Sequence, residues 1–181
     1  MVKLGEYSQE DGKKLLKLAR ESIEEEFTKK KPEFPKEKQF MQARGCFVTL
    51  HKNGNLRGCI GYPYPSLPLV EAIYKAAKQS AFSDFRFPRL TKEELKDIKI
   101  EISILTSPQP CEIKDIRIGK DGLICNYFGY SALLLPQVAV ENKMSKIDFL
   151  ECLCEKAGLP KNSWQDKNFK LSRFQCQIFS E

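Results

Sequence analysis

Apolar residues recur along this chain with two periods, and the switches between them mark its elements. From Ser8 onward, Leu15, Leu16, Ala19, Ile23 and Phe27 keep one face apolar at helical spacing. Ser8 with Asp11 three residues later is a capping-box pattern, so a helix is predicted over 8–28, stopped by Pro32 and Pro35. GCFVTLHKNGNLRGCIGY reads as two β-rich runs around Asn53-Gly54, a hairpin over 45–61. Ser66 is the expected N-cap of a second helix turning Val70, Ile73, Tyr74, Ala77 and Ala81 inward. Thr91 and Glu94 predict a capping box on a short helix, and DIKIEISIL alternates strictly through Ile98, Ile100, Ile102 and Ile104. GLICNYF and YSALLLP are two more strands, hinged at Phe128-Gly129-Tyr130, and QVAVENK is a helical turn or two. Ser145 and Asp148 cap a last long helix, IDFLECLCEKA, which Gly158 and Pro160 end. The tail FKLSRFQCQIF alternates again and should rejoin the sheet.

Hairpins outnumber strand–helix–strand crossovers in this reading. The expected fold is α+β, a mostly antiparallel sheet with helices packed against it. The Gly-rich phosphate signatures GxGxxG and GxxxxGK are absent, which argues against a doubly wound nucleotide fold.

Turn length sets which residues of the hairpin share a face. A two-residue turn pairs His51 with Leu56 and Val48 with Cys59. A three-residue loop pairs Leu50 with Leu56, Val48 with Gly58 and Phe47 with Cys59. Hydrophobic sorting favours the second, with Cys46, Val48, Leu50, Leu56 and Ile60 on one face and Phe47, Thr49, His51, Arg57 and Cys59 on the other. His51 and Cys59 then stand about 13 Å apart along the ladder, too far for a nucleophilic dyad.

Composition narrows the class. With 181 residues, 41% hydrophobic and 30% charged, the chain has room for one real core and is not of disordered or collagen-like type. No apolar run is long enough for a bilayer, and MVKLGEYSQEDGKK has no hydrophobic signal core, so a cytoplasmic chain with no membrane contact is expected. Seven scattered cysteines, no C-x-x-C pair and a single histidine predict neither a disulfide scaffold nor a metal centre, and no cofactor is expected. The formal charge is +6, but the lysines alternate with glutamates, as on a solvated helix face; nucleic acid remains a weak candidate partner.

Candidate chemistry gathers around R-G-C-I-G. Gly58 and Gly61 weaken a strand unless a helix or a ligand approaches the backbone closely. Arg57 and Arg86 would hold an anionic group, and Arg57 is the nearest cation in sequence to favour a Cys59 thiolate. Cys59 would be nucleophile or covalent acceptor, with Asp84 or Glu141 as acid–base. The plainer alternatives are a small buried Cys59, an Asp84–Arg86 ion pair that pins its loop, and a Glu141 paired locally. An adaptor module would instead show exposed aromatics, with Tyr62, Tyr64 and Phe87 as candidates bordered by lysines.

The runs LRGCIG, PLVEAIYKAA, AFSDFRFPRL, EISILTSPQP, GKDGLI, LLLPQVAVE, FLECLCEKAGLP and NSW follow one another as in the AMMECR-type domain family. The resemblance covers Gly45 to Trp164 and looks like the minimal archaeal or bacterial form. It implies one domain over 1–181 with two unequal lobes, the smaller within 110–145, and a ligand-binding cleft between them. It implies no settled activity, and whether the chain is an enzyme stays open. Prokaryotic relatives are often encoded with Memo-like and radical-SAM proteins, which implies a shared pathway of nucleotide, RNA or cofactor modification. A regulatory role tied to nucleic acid is the family's other suggestion. The signature residues fall on Leu56 to Gly61; later motifs carry over as Asp84, Arg86, Phe87 and Pro88, then Pro136, Gln137 and Glu141, with Gln137 a ligand contact. Ser131-Ala132 stands where relatives often have Arg-Gly, and Met144 where they often have Trp.

Overall fold

The structure, a computed structural model, describes residues 5–181; residues 1–4, part of the stretch read for a signal core, lie outside the described residues. It contains two four-stranded sheets and four α-helices, so the fold is α+β. The chain divides into two compact units, one running to Leu105 and taking in Gln177–Glu181, the other Thr106–Cys176. Among the described residues no helix is long and apolar enough to cross a membrane.

In the first unit the sheet order is β2-β1-β3-β8, with β1 Gly45–Lys52, β2 Asn55–Tyr62, β3 Ile98–Leu105 and β8 Cys176–Ser180. Helices α1 (Gln9–Thr28) and α2 (Leu69–Phe82) cover the face that carries Cys46, Val48, Leu50, Ile100 and Ile102, all fully buried. The Ser8–Asp11 capping box forms as expected and opens α1. Ser66 does not cap α2; Pro68 does. The reason is extended pairing between the two approach segments: Arg44 N–H donates to the Leu67 carbonyl and Leu69 N–H to that of Gln42, which keeps 66–68 out of the helix. At Thr91 only half of the expected box forms. Glu94 accepts from the Thr91 N–H at 3.0 Å, at the start of a 3-10 turn over Glu93–Lys96.

The β1–β2 hairpin departs from the register that hydrophobic sorting favours. Asn53 (φ 52°) and Gly54 (φ 78°) make a two-residue turn, pairing Lys52 with Asn55 and His51 with Leu56. A bulge at Arg57 then inserts one residue, and beyond it Leu50 faces Gly58, Thr49 faces Cys59 and Val48 faces Ile60. Turn and bulge together move the pairing two residues from the expected one. An even shift preserves the faces, so Ile60 still lies with Val48 and Cys59 with Thr49. Leu56 is the loser, left 43% exposed on the bend side of the bulge.

In the second unit the order is β4-β7-β5-β6, with β4 Gln109–Pro110, β5 Gly122–Tyr127, β6 Tyr130–Leu134 and β7 Lys170–Phe174. Helix α4 (Lys146–Lys156), opened by the expected Ser145–Asp148 box, buries Phe149, Leu150 and Leu153 against Leu123, Cys125 and Leu134. Helix α3 spans Pro136–Glu141. This unit reaches past the 110–145 stretch because β7 returns to pair with β5. The alternating tail is two strands rather than one. It breaks at Gln175, whose N–H donates to Thr106 Oγ1, so that β7 stays in this sheet and β8 leaves for the other.

Candidate functional site

Beyond Leu56, the residues of the LRGCIG run are held by contacts from neighbouring elements. The bare Cα of Gly58 lies under α2, where an added Cβ would stand 2.1 Å from the Ser80 carbonyl oxygen. At Gly61 a Cβ would meet the Cys46 carbonyl at 2.2 Å and the Phe47 ring. Neighbouring protein backbone therefore occupies both spaces that glycine leaves open. Ser80 ties the same strands together, its hydroxyl donating to the Val48 carbonyl (2.7 Å) and accepting from the Ile60 N–H (2.8 Å).

Arg57 does not turn outward to meet an anion. It is only 8% exposed and forks onto Glu94, Nε to Oε1 at 3.0 Å and Nη2 to Oε2 at 2.9 Å. Lys52 donates to the same carboxylate at 2.9 Å. The Arg57 fork, helped by the Thr91 N–H and Lys52, holds the Glu94 carboxyl down at about 2 despite its burial. Nη1 of Arg57 is buried without a hydrogen-bond partner. The pair fastens the bulge to the turn that follows α2.

Cys59, Asp84 and Arg86 do come together. The Asp84 carboxylate, sealed under its loop, accepts from the Cys59 N–H (2.9 Å), the Arg86 N–H (3.2 Å), Arg86 Nε (2.9 Å) and Arg86 Nη2 (2.7 Å). Arg86 Nη2 also donates to the Cys59 carbonyl at 3.2 Å, so both backbone groups of Cys59 are held by one ion pair. The Arg86 hydrogen bonds bring the Asp84 carboxyl down to about 2. At neutral pH it accepts hydrogen bonds and has no proton to give. The cation beside Cys59 is therefore Arg86, 45% exposed, with Nη1 making no hydrogen bond among the described residues.

The Cys59 side chain is half-buried, and the Thr49 hydroxyl opposite it donates to Sγ at 3.3 Å. His51 pairs with Leu56 on the other side of the bulge and makes no dyad with it. Cys46, Cys125 and Cys154 are buried, and burial pushes the Cys46 thiol up to about 12. Gln137 and Glu141 belong to α3 of the second unit; Gln137 Oε1 is buried without a partner, and Glu141 is exposed. Of the aromatic candidates, Tyr62 is half-buried and donates to Gln79, Tyr64 is exposed, and Phe87 lies under the Arg86 guanidinium.

Sequence reasoning missed three residues here. Glu94 was read only as a cap, although a charged Arg57 in an apolar strand requires a carboxylate partner. Thr49 carried no signal beyond its face. Phe85, between Asp84 and Arg86, is 96% exposed; its FSDFRF surroundings read only as a compact loop, with no signal that singled this ring out.

The family model described as AMMECR1 matches residues 16–179. A protein of Methanothermobacter thermautotrophicus is 45% identical over 190 residues, spanning 99% of each chain. Protein MJ0810 of Methanocaldococcus jannaschii is 46% identical over 151 residues, covering 78% of this chain and 75% of its own. The crystal structure of uncharacterized protein PH0010 from Pyrococcus horikoshii superposes with a TM-score of 0.88 at 43% identity, covering 94% of this chain and 91% of that one. The match takes in α2, both hairpins and the LRGCIG strand, and on that extent this chain belongs to the AMMECR1 family.

Proposed function

We propose that this protein is a ligand-binding component of a nucleotide, RNA or cofactor modification pathway, with the ligand seated at the LRGCIG strand against Cys59 and Arg86. One observation carries the reading: the Asp84–Arg86 pair clamps both backbone groups of Cys59 while leaving its thiol half-exposed and the outer edge of the guanidinium open. A fixed thiol beside an unused pair of N–H donors suits an anionic ligand, a carboxylate or phosphate gripped by Arg86 with its body over Cys59. Asp84 stays ionised and saturated, so its part is to preorganise the contact and not to move a proton. Within such a pathway the Memo-like and radical-SAM proteins are the expected partners.

The test is to purify the full chain natively and identify co-purifying small molecules and RNA by mass spectrometry, alongside Arg86→Ala. Retention lost in the variant, with Cys59 shielded from iodoacetamide by whatever is bound, supports the site. Equal retention in both proteins, with Cys59 alkylated regardless, removes it.

A second reading, a non-catalytic adaptor, is favoured by Phe85, a ring in water at the tip of the same clamped loop. Under it Phe85→Ala abolishes capture of a protein partner and leaves small-molecule retention untouched.

A further inference from the structure

Two side chains from separate elements converge on the half-buried Cys59 sulfur. Thr49, directly opposite on β1, gives it a hydroxyl hydrogen bond at 3.3 Å. That side chain is β-branched and only 9% exposed, so few rotamers compete with the bond. Arg86, in the loop after α2, stands at the outer edge of the strand with Nη2 on the Cys59 carbonyl, and its Nη1 makes no hydrogen bond among the described residues. The guanidinium is held in its charged form chiefly by Asp84 and in smaller part by Cys59, so the cation acts on the sulfur as well. Thr49, Cys59, Asp84 and Arg86 all belong to the first unit. Four other cysteines are set against reaction: burial pushes the Cys46 thiol up to about 12 and raises those of Cys111, Cys125 and Cys154 too.

A hydroxyl donor and a cation beside a sulfur favour its thiolate. The unused N–H groups of Arg86 meet a second need, stabilising negative charge on an atom that leaves. No proton shuttle accompanies them. The Asp84 carboxylate is ionised and filled with hydrogen bonds, and His51 lies past the bulge. Acyl transfer by a cysteine needs such a shuttle, first to activate the thiol and then to protonate the leaving group. Cleavage of a peroxide does not, because each oxygen brings its own hydrogen.

We propose that Cys59 is a modification site for hydrogen peroxide, with Thr49 holding the thiolate and Arg86 receiving the departing oxygen. The thiolate attacks one oxygen of the peroxide. An S–O bond forms as the O–O bond breaks, and the second oxygen leaves with the bonding pair as hydroxide, which water neutralises. Sulfur is oxidised from thiolate to sulfenic acid and the peroxide is reduced. A sulfur half-buried between two side chains, with both backbone groups clamped, admits a reagent of two oxygens more readily than a bulky disulfide. The site shares its thiol and guanidinium with the proposed ligand seat, yet the step needs no bound ligand, so the two readings fail separately.

The experiment treats the reduced, ligand-free full chain with hydrogen peroxide at neutral pH, traps sulfenic acid with dimedone and follows each cysteine by peptide mass spectrometry. Cys59 should be labelled first of the seven, about tenfold faster in the folded chain than in urea. Thr49→Val keeps the shape of the strand and removes the donor; labelling should slow about tenfold, and the pH at which the rate levels off should rise. Arg86→Ala should slow the peroxide reaction more than alkylation by iodoacetamide, since iodide needs no donor to leave. The proposal is overturned by another cysteine labelled ahead of Cys59, by equal rates in folded and unfolded chain, by an undiminished rate in Thr49→Val, by equal slowing of both reactions in Arg86→Ala, or by ready exchange with a small disulfide alongside silence toward peroxide. A silent thiol sinks this proposal and leaves Arg86-dependent ligand retention standing, whereas a reactive one supports it even where nothing co-purifies.

Discussion

Replacing Glu94 by Gln keeps the side chain's size and removes its charge, which leaves the Arg57 guanidinium buried without a counterion. Arg57 is nearly sealed and Glu94 little less so. Breaking a buried pair from one side costs about 3–5 kcal/mol, because the surviving charge stays desolvated. Lys52, more exposed, can turn its ammonium to water and adds little. The depression of the Glu94 carboxyl by the same fork corresponds to an energy of similar size. The carboxyl sits at about 2 against an ordinary 4.5, and at about 1.4 kcal/mol per unit its ionised form contributes about 3 kcal/mol. Since the folded-state value is the lower one, this stability is complete above the ordinary value and is lost as pH falls through the depressed one. Wild type and Glu94→Gln should therefore differ at neutral pH and converge as pH falls to about 2. Trp164, the single tryptophan, belongs to the other unit and is not a reporter placed in this strand. Hydrogen exchange of the 55–62 peptide, followed through a urea titration, reads it directly. Protection in the variant should drop on the order of a hundredfold at neutral pH. An unchanged protection factor, or a gap that persists undiminished in acid, would refute the argument that this ion pair holds the bulge.

Gly58→Ala drives a methyl group into the Ser80 carbonyl, and no rotamer relieves it; a loss of about 1–3 kcal/mol in urea unfolding is expected. Ser80→Ala leaves the Val48 carbonyl and the Ile60 N–H without their shared partner, costing about 1–3 kcal/mol in the same assay. Asp84→Asn loosens the Arg86 clamp, so the Cys59 amide should exchange faster at neutral pH, with the difference from wild type closing as acid protonates the native carboxylate near its depressed value of about 2. In the second unit, Asp121→Asn weakens the bonds from Arg117 and Gln175 to a buried carboxylate, and Trp164 fluorescence should report about 1–3 kcal/mol of lost stability.

Elements whose signal is local were readable from the chain. The capping boxes at Ser8 and Ser145, the isoleucine alternation of β3 and the Asn53-Gly54 bend each depend on residues a few positions apart, and each stands where it was expected. The failures came from partners distant in sequence. The bulge at Arg57 needs Glu94, 37 residues on, and no periodicity connects them. Hydrophobic sorting separated the faces of the hairpin but could not choose between registers two residues apart, since both bury Val48 and Ile60 together. It weighed Leu56 as core, whereas the structure leaves that leucine outside and buries a charge beside it. At the candidate site, Asp84 and Arg86 were legible as an ion pair, and the closeness of the pair to Cys59 was not, because it arises from the packing of α2 against β2.

The first unit takes its fourth strand from residues 177–181, which follow the whole of the second unit in the chain. Phe179 fills the place where Gly12 lacks a side chain, Gln177 exchanges hydrogen bonds with the backbone of Tyr7, and Arg20 grips Glu181. On the ribosome these partners emerge only after 106–176, so the β3 edge that β8 covers stays open while the second unit is made. The second unit, drawn from one continuous stretch, can close while its predecessor is still waiting. An edge that is exposed in this interval is a template for pairing with another chain, a liability that ends when β8 adds to the sheet.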